Sequence, residues 1–311
     1  MKRRDFTKAV GSGAFALLLS NGALSARQAK PQVAITMDDF EVSKLSKSEA
    51  DKRTQAILAA LHSHKNLQAA GFVCGRRVDN ENGQEVLSAW DQAGHLICNH
   101  TYSHWYYHRR SVAEFSEDIL RAEAILKNYR HFTKRFRFPM LKEGDTLERR
   151  DGIRTFLRAQ GYKQGYVTID ASDWYIDERL TARLKQVPGA NLQPYRDFYL
   201  QHIWERANYY DDLSRKVLGR SVKHTLLIHY NLLNELFLGD LLTMFERKGW
   251  QLINAEEAFT DAIFEREPKI LPAGESIIWA LAKESGKFDK LLRYPAEDSI
   301  YEKPKMDKLG L

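Results

Sequence analysis

From residue 32 onward, short β-branched or apolar runs alternate with longer amphipathic stretches, and this alternation constrains the fold of the 311-residue chain more than any other feature. The runs fall at 33–37, 69–73, 95–98, 136–138, 165–169, 225–229 and 251–253. Helical patterns lie between them at 48–64, 85–93, 112–129, 147–160 and 233–248. In the last of these, Leu233, Leu236, Phe237, Leu241, Met244 and Phe245 recur at the spacing that lines one face of a helix. Strands separated by helices pair in parallel with the helices outside, which predicts a barrel or a doubly wound sheet. Gly71, Gly94, Gly161 and Gly249 follow or interrupt these helices as C-caps and turns do. Residues 171–224 break the alternation and read as an insertion between two strands. From Pro268 the chain, with Pro272, Pro295 and Pro304, reads as a separate appendage.

Polar groups with chemical potential follow the predicted strands, which is where (β/α) barrels assemble their active sites. Asp38 and Asp39 end the first run, and His100 and His104 follow the third. Arg137 sits by the fourth, Asp173 and Trp174 come after the fifth, and His229 ends the sixth. The i, i+4 spacing of the two histidines predicts a helical turn with both imidazoles on one face, as a shared divalent metal needs. Taken alone, that spacing better describes two half-buried histidines on an amphipathic turn. Thr101 stands where a zincin would carry glutamate, which excludes that class. Two histidines and one carboxylate would leave positions open for water and substrate.

Adjacent carboxylates at the end of an apolar strand are costly unless a cation or an arginine offsets them. One of the pair suits metal ligation and the other proton transfer; a helix N-cap with a solvated neighbour is the plainer alternative. Only two cysteines occur, Cys74 and Cys98, which excludes a disulfide scaffold and a four-cysteine zinc module. They end the predicted second and third strands and could be neighbours, so export would permit a disulfide, but buried free thiols are the preferred reading. No nucleophile elbow or phosphate-cradling loop occurs, so serine-hydrolase and P-loop readings fall.

Residues 1–26 have the layout of an export signal: Lys2, Arg3 and Arg4, an apolar stretch, then Ala23, Ser25 and Ala26. Arg3-Arg4-Asp5-Phe6-Thr7-Lys8 resembles the twin-arginine pattern, which implies export of a folded protein to the bacterial periplasm or beyond. The chain carries a net charge of +6, but the leader holds four cations and one anion, so the remainder carries about +3 without a basic block. Most of the case for a nucleic-acid partner goes with the leader. The apolar run at 14–19 is far short of the ~20 residues of a bilayer span, so no stable membrane insertion is expected after cleavage.

Thr36-Met37-Asp38-Asp39, His100-Thr101-x-x-His104, Arg137-x-Pro139, Asp173-Trp174 and Leu227-Ile228-His229, in that order, resemble the five motifs of the polysaccharide deacetylase family. This is the NodB-homology, carbohydrate esterase family 4 type. Each motif is short, but five in sequence over about 32–255 are specific. The resemblance implies an α/β fold, a distorted, incomplete (β/α) barrel with a helical insertion and a C-terminal extension. It implies a catalytic domain over 30–265 interrupted at about 175–222, an extension over 266–311, and metal-dependent removal of acetyl groups from a glycan.

Carried over position by position, Asp38 is similar to the general base, and Asp39, His100 and His104 to the metal ligands. Arg137 resembles the group that orients Asp38 and keeps it ionised through its fixed fork of donors. Asp173 resembles the carboxylate that tunes His229, the general acid, and Trp174 a wall of the acetyl pocket. Pro139 and Met140 fall in the substrate loop, with the Met140 N–H a candidate oxyanion donor. The ligand set suits one Zn2+, and also Co2+ or Ni2+. Met37 replaces the usual Phe with another apolar group. Pro139-Met140-Leu141-Lys142-Glu143-Gly144 departs from the usual Pro-Tyr-Gly continuation, which alters the groove.

The expected substrate is an N-acetylated cell-wall polysaccharide or exopolysaccharide. An O-acetyl esterase, a small-molecule amidohydrolase with the same site, and a non-catalytic glycan-binding relative are the alternatives. Tyr195, Phe198, Tyr199, Trp204, Tyr209 and Tyr210 in the insertion suit sugar stacking or, preferably, the core of a helical subdomain.

Overall fold

The computed structural model describes residues 30–294 and 299–311, so the export-signal reading of 1–26 lies outside the described residues. The strands are β1 (Gln32–Asp39), β2 (Ala70–Val73), β3 (Leu96–Asn99), β4 (Phe132–Phe136), β5 (Lys142–Gly144), β6 (Lys163–Gln164), β7 (Lys223–His229), β8 (Gln251–Leu252) and β9 (Ala273–Gly274). Helices α1 (Lys47–Ser63), α2 (Gly75–Val78), α3 (Glu81–Gln92), α4 (Val112–Leu126) and α5 (Leu147–Ala159) accompany the first half. The second half carries α6 (Asp173–Gln186), α7 (Gln193–Leu218), α8 (Leu232–Arg247), α9 (Ala255–Ala258), α10 (Ile277–Ser285) and α11 (Glu302–Leu309). Serine caps start α1 and α4: Ser46 with Glu49, and Ser111 with Glu114, each satisfy two free backbone donors reciprocally.

The main sheet runs β6-β4-β3-β2-β1-β7, with β8 also on β1, and its pairings are parallel. β1 lies between β2 and β7, and its residues 33–38 are buried without interruption, as both faces of a covered parallel strand require. β6 and β7 stand at opposite edges. The chain leaving β6 crosses between those edges: Ile169 bridges Leu226, and the Leu227 N–H donates to the Ile169 carbonyl at 3.0 Å. The sheet therefore curls into an incomplete (β/α) barrel.

Two expected strands are displaced. The run at 136–138 is not the fourth strand; the ladder lies at Phe132–Phe136, because Pro139 has no N–H to continue it and the chain turns there. Phe132–Phe136 is half-exposed and largely polar, so it has no clear apolar alternation to read. The run at 165–169 contributes only the bridge at Ile169, with β6 just before it.

The break in alternation at 171–224 is two helices. α7 has Pro194 in its first turn and ends on Gly219 at φ 73°, a left-handed cap. Tyr195, Tyr199 and Tyr210 are buried, and Phe198, Trp204 and Tyr209 pack half-buried on the same core. The aromatic run is core. The stretch from 266 is not a loose appendage: β9 pairs antiparallel with β5, and the Ser276 hydroxyl donates to the Thr168 carbonyl at 2.9 Å. The Ile277 N–H donates to Val167 at 2.9 Å, and α10 packs on α7. Among the described residues no helix is long and apolar enough to cross a membrane. Cys74 and Cys98 are free and buried, and burial pushes both thiols up to about 12.

Candidate active site

β1 delivers Asp38 and Asp39 to the mouth of the barrel. Asp38 is 2% exposed, and Asp39 takes φ 80°, a left-handed conformation that costs a non-glycine residue free energy. β3 ends at Asn99, with His100 next. The helical turn expected for His100 and His104 is absent; an irregular loop with Thr101 at φ 66° and His104 at φ 55° takes its place. Side chains tie this loop. Asn99 Oδ1 accepts the Thr101 N–H at 2.8 Å, Thr101 Oγ1 the His104 N–H at 3.0 Å, and Asp118 Oδ2 the Ser103 N–H at 2.9 Å. A tight loop thus achieves the convergence that a helix would provide, with ring centroids 5.0 Å apart.

Asp39, His100 and His104 present ligand atoms that all lie within 4.8 Å of one another. Asp39 Oδ1 is 3.0 Å from His104 Nε2 and 3.6 Å from His100 Nε2. That oxygen is buried and makes no hydrogen bond, an arrangement that is costly without a cation. His100 donates Nδ1–H to the Arg137 carbonyl at 2.8 Å, which directs Nε2 at the triad in the manner of a metal-bound imidazole. Burial, with His104 beside it, holds His100 well below the usual imidazole range, so it is neutral. Burial opposes ionisation of Asp39, but His104, His229 and Arg77 outweigh it and hold this carboxylate well below its ordinary range. Arg77 Nη1 binds it at 2.5 Å. The donors therefore fit a divalent cation.

Arg137 follows β4 and is buried. Its Nη1 donates to Asp38 Oδ1 at 2.5 Å and to Thr36 Oγ1 at 2.9 Å, and its Nε to the Gly165 carbonyl at 2.8 Å. Burial still raises Asp38 to about 6, against the lowering pull of Arg137 and His229. On β7, His229 donates Nδ1–H to Asp173 Oδ1 at 2.7 Å. Asp173 opens α6 and is fully buried. Its Oδ2 accepts from the His229 N–H at 2.8 Å, Asn231 Nδ2 at 3.1 Å and Asn234 Nδ2 at 2.9 Å. Burial works against a charged His229, but Asp173 and the nearby Asp39 and Asp38 push it up to about 9.

These groups open into one cleft of about 320 Å³, with Met140, Leu141, Ala171, Trp174 and Leu227 as its apolar wall. Pro139 is buried and does not line the cleft. Met140 takes φ 49°, and the bidentate Glu143–Arg154 pair at 2.8 Å anchors the loop that follows. Sequence reasoning missed four residues here. Thr36 was quoted in a motif but given no part. Asp170 lies on the cleft wall three residues before Asp173. Asn231 reads as a helix cap, which it also is, and Asn234 accompanies it at i, i+3. Only their closeness in sequence to His229 could have flagged the two asparagines.

Residues 25–163 match the polysaccharide deacetylase family model. No curated protein matches the sequence. Among solved structures, a carbohydrate esterase family 4 pseudoenzyme from Bacillus anthracis is 17% identical with a TM-score of 0.52, over 74% of this chain and 65% of that one. Its mutant with restored enzymatic activity is 18% identical with a TM-score of 0.53, over 74% and 67%. A chitin deacetylase from the fungal pathogen Colletotrichum lindemuthianum is 19% identical with a TM-score of 0.52, over 76% and 90%. At these identities the likeness is one of fold. The family match bears out the family resemblance over the first three motifs; Asp173-Trp174 and Leu227-Ile228-His229 lie outside it.

Proposed function

We propose that this chain, with the fold and motifs of the polysaccharide deacetylase family, is a metal-dependent hydrolase that removes acetyl groups from N-acetylated sugars of a cell-wall polysaccharide or exopolysaccharide. The observation that carries this reading is the gathering in one cleft of a ligand triad, a buried carboxylate paired with arginine, and a histidine backed by a buried carboxylate. A binding protein has no use for two opposed proton-transfer groups.

Asp39, His100 and His104 would hold the metal, zinc in this reading, which supplies Lewis acidity to the acetyl carbonyl and the attacking water. Asp38 takes the proton released by that water, and Arg137 fixes its carboxylate and favours the charged form. His229 delivers a proton from Nε2 to the departing sugar nitrogen, while Asp173 holds Nδ1–H and so fixes which proton is delivered. Trp174, Leu141 and Leu227 shelter the acetyl methyl from water. The Met140 N–H is the backbone donor for the developing oxyanion.

Acetate release from acetylated chito-oligosaccharides and peptidoglycan fragments, with and without a chelator, tests the reading. Release that survives chelation or Asp38→Asn removes the mechanism, and no release from any acetylated glycan or ester favours a binding role. The Arg3-Arg4 pattern supports export to the bacterial periplasm or beyond as part of this proposal; unchanged export after both become Lys removes that part alone.

A further inference from the structure

Residues 170–173 run from the last bridge of the sheet, at Ile169, into α6, and they carry Asp173 beneath His229. Two side chains of α7 hold this loop by its backbone. The Ser172 N–H donates to His202 Nε2 at 3.1 Å, and Arg206 Nε donates to the Asp170 carbonyl at 2.9 Å. Both side chains are buried, at 6% and 1% exposure. Because Nε2 accepts that bond, the His202 proton sits on Nδ1. Nδ1 faces Glu302 Oε1 at 3.4 Å. Burial beside Arg206 holds His202 well below the usual imidazole range, consistent with an imidazole that must accept.

Glu302 comes from α11, 73 residues beyond His229 of the last motif, and it is 1% exposed. The Ser172 hydroxyl hydrogen-bonds it, and Arg206 lies close enough to act on its charge. A carboxylate buried this deeply is costly unless its surroundings match it. Burial pushes Glu302 above the ordinary carboxyl range, and the groups that oppose this include Arg206, which grips the loop, and the Ser172 hydroxyl, which belongs to it. Arg179 of α6 also reaches Asp307 of α11 at 2.7 Å, so the helix is docked on the element that Asp173 begins.

We infer that Glu302 is a positioning residue for proton delivery: through His202 and Ser172 it fixes the loop that carries Asp173, and so the imidazole of His229. The inference rests on the reading of His229 as the general acid. It gives the C-terminal stretch, outside the family match at 25–163, a part in catalysis.

Two full-length variants test it. Glu302→Gln keeps the size of the side chain and removes its charge; His202→Phe keeps a ring and removes the acceptor for the Ser172 N–H. Hydrogen exchange is followed in peptides covering 168–176, β1 and β7, and kinetics are measured at matched zinc content. Exchange at 168–176 is expected to rise about ten-fold or more in both variants while β1 and β7 are unchanged. The kcat for acetate release is expected to fall about ten-fold with KM within about two-fold, since the loop orients a proton donor rather than binding sugar. Unchanged exchange at 168–176 overturns the inference, as does exchange rising equally throughout the sheet, which marks a general loss of stability. If the parent protein releases no acetate, the functional reading fails on that result alone, and the exchange data still decide whether Glu302 holds the loop.

Discussion

Burial pushes the Asp38 carboxyl up to about 6 even with Arg137 beside it, while Asp173 and its neighbours carry His229 to about 9. The base works only when ionised and the acid only when protonated, so kcat/KM plotted against pH is expected to be bell-shaped. Its acid limb lies at or below about 6, since a cation on the adjacent triad lowers Asp38 further, and its alkaline limb lies near 9. Asp38→Asn is expected to lower kcat about 10²–10⁴-fold. Asp173→Asn removes the charge that holds the His229 proton, so the alkaline limb is expected to move down toward the ordinary imidazole value of about 6.5. An alkaline limb that stays in place would show that His229 is not the acid.

Among the elements, the β5–β9 pair does the most for the cleft with the fewest residues. Gly274 sits at φ 129°, and a Cβ there would lie 1.9 Å from the Leu141 carbonyl oxygen. That carbonyl accepts the Glu275 N–H at 3.0 Å, so β9 holds the backbone of the cleft wall. Gly274→Ala is expected to cost roughly 1–3 kcal/mol and to lower Tm by several degrees, read by thermal unfolding. Weaker acetate release is expected beyond the loss of folded protein, because the Met140–Leu141 backbone must give way. The loop from His100 to His104 shows the same economy: left-handed residues and side-chain acceptors replace a helical turn.

At the scale of the whole molecule, the parallel strands end at one mouth, and the triad there joins groups from β1 and from the loop after β3. A cation bound by the folded chain alone stabilises it by about 2.7 kcal/mol at one hundred times its Kd. Thermal unfolding is therefore expected to move up with added Zn2+, to fall with chelator, and to become insensitive to zinc in His100→Ala. A zinc response that survives in that variant would place the metal elsewhere. The curled sheet is closed by the crossing at Ile169 and by the stretch from 266, so removal of the C-terminal residues is expected to loosen the 170–173 loop before the central strands.

Hydrophobic periodicity reports which face of a segment is buried, and in a parallel barrel it also reports which end of each strand reaches the mouth. The sequence alone therefore determined the alternating fold and the order in which Asp38, Asp39, His100, His104, Arg137, Asp173 and His229 come to the cleft. Periodicity could not determine pairings made across the curled sheet. The motif resemblance implied that Arg137 meets Asp38, 99 residues away, but nothing in the sequence pointed to Glu302 meeting His202 across a similar span. Periodicity within a dozen residues carries no information about such partners. Asn231 and Asn234 read as a helix start because the backbone need they meet is local, while the carboxylate they also serve arrives from α6. Tertiary closure decided which polar groups became neighbours, because a buried charge is tolerated only where distant donors converge on it.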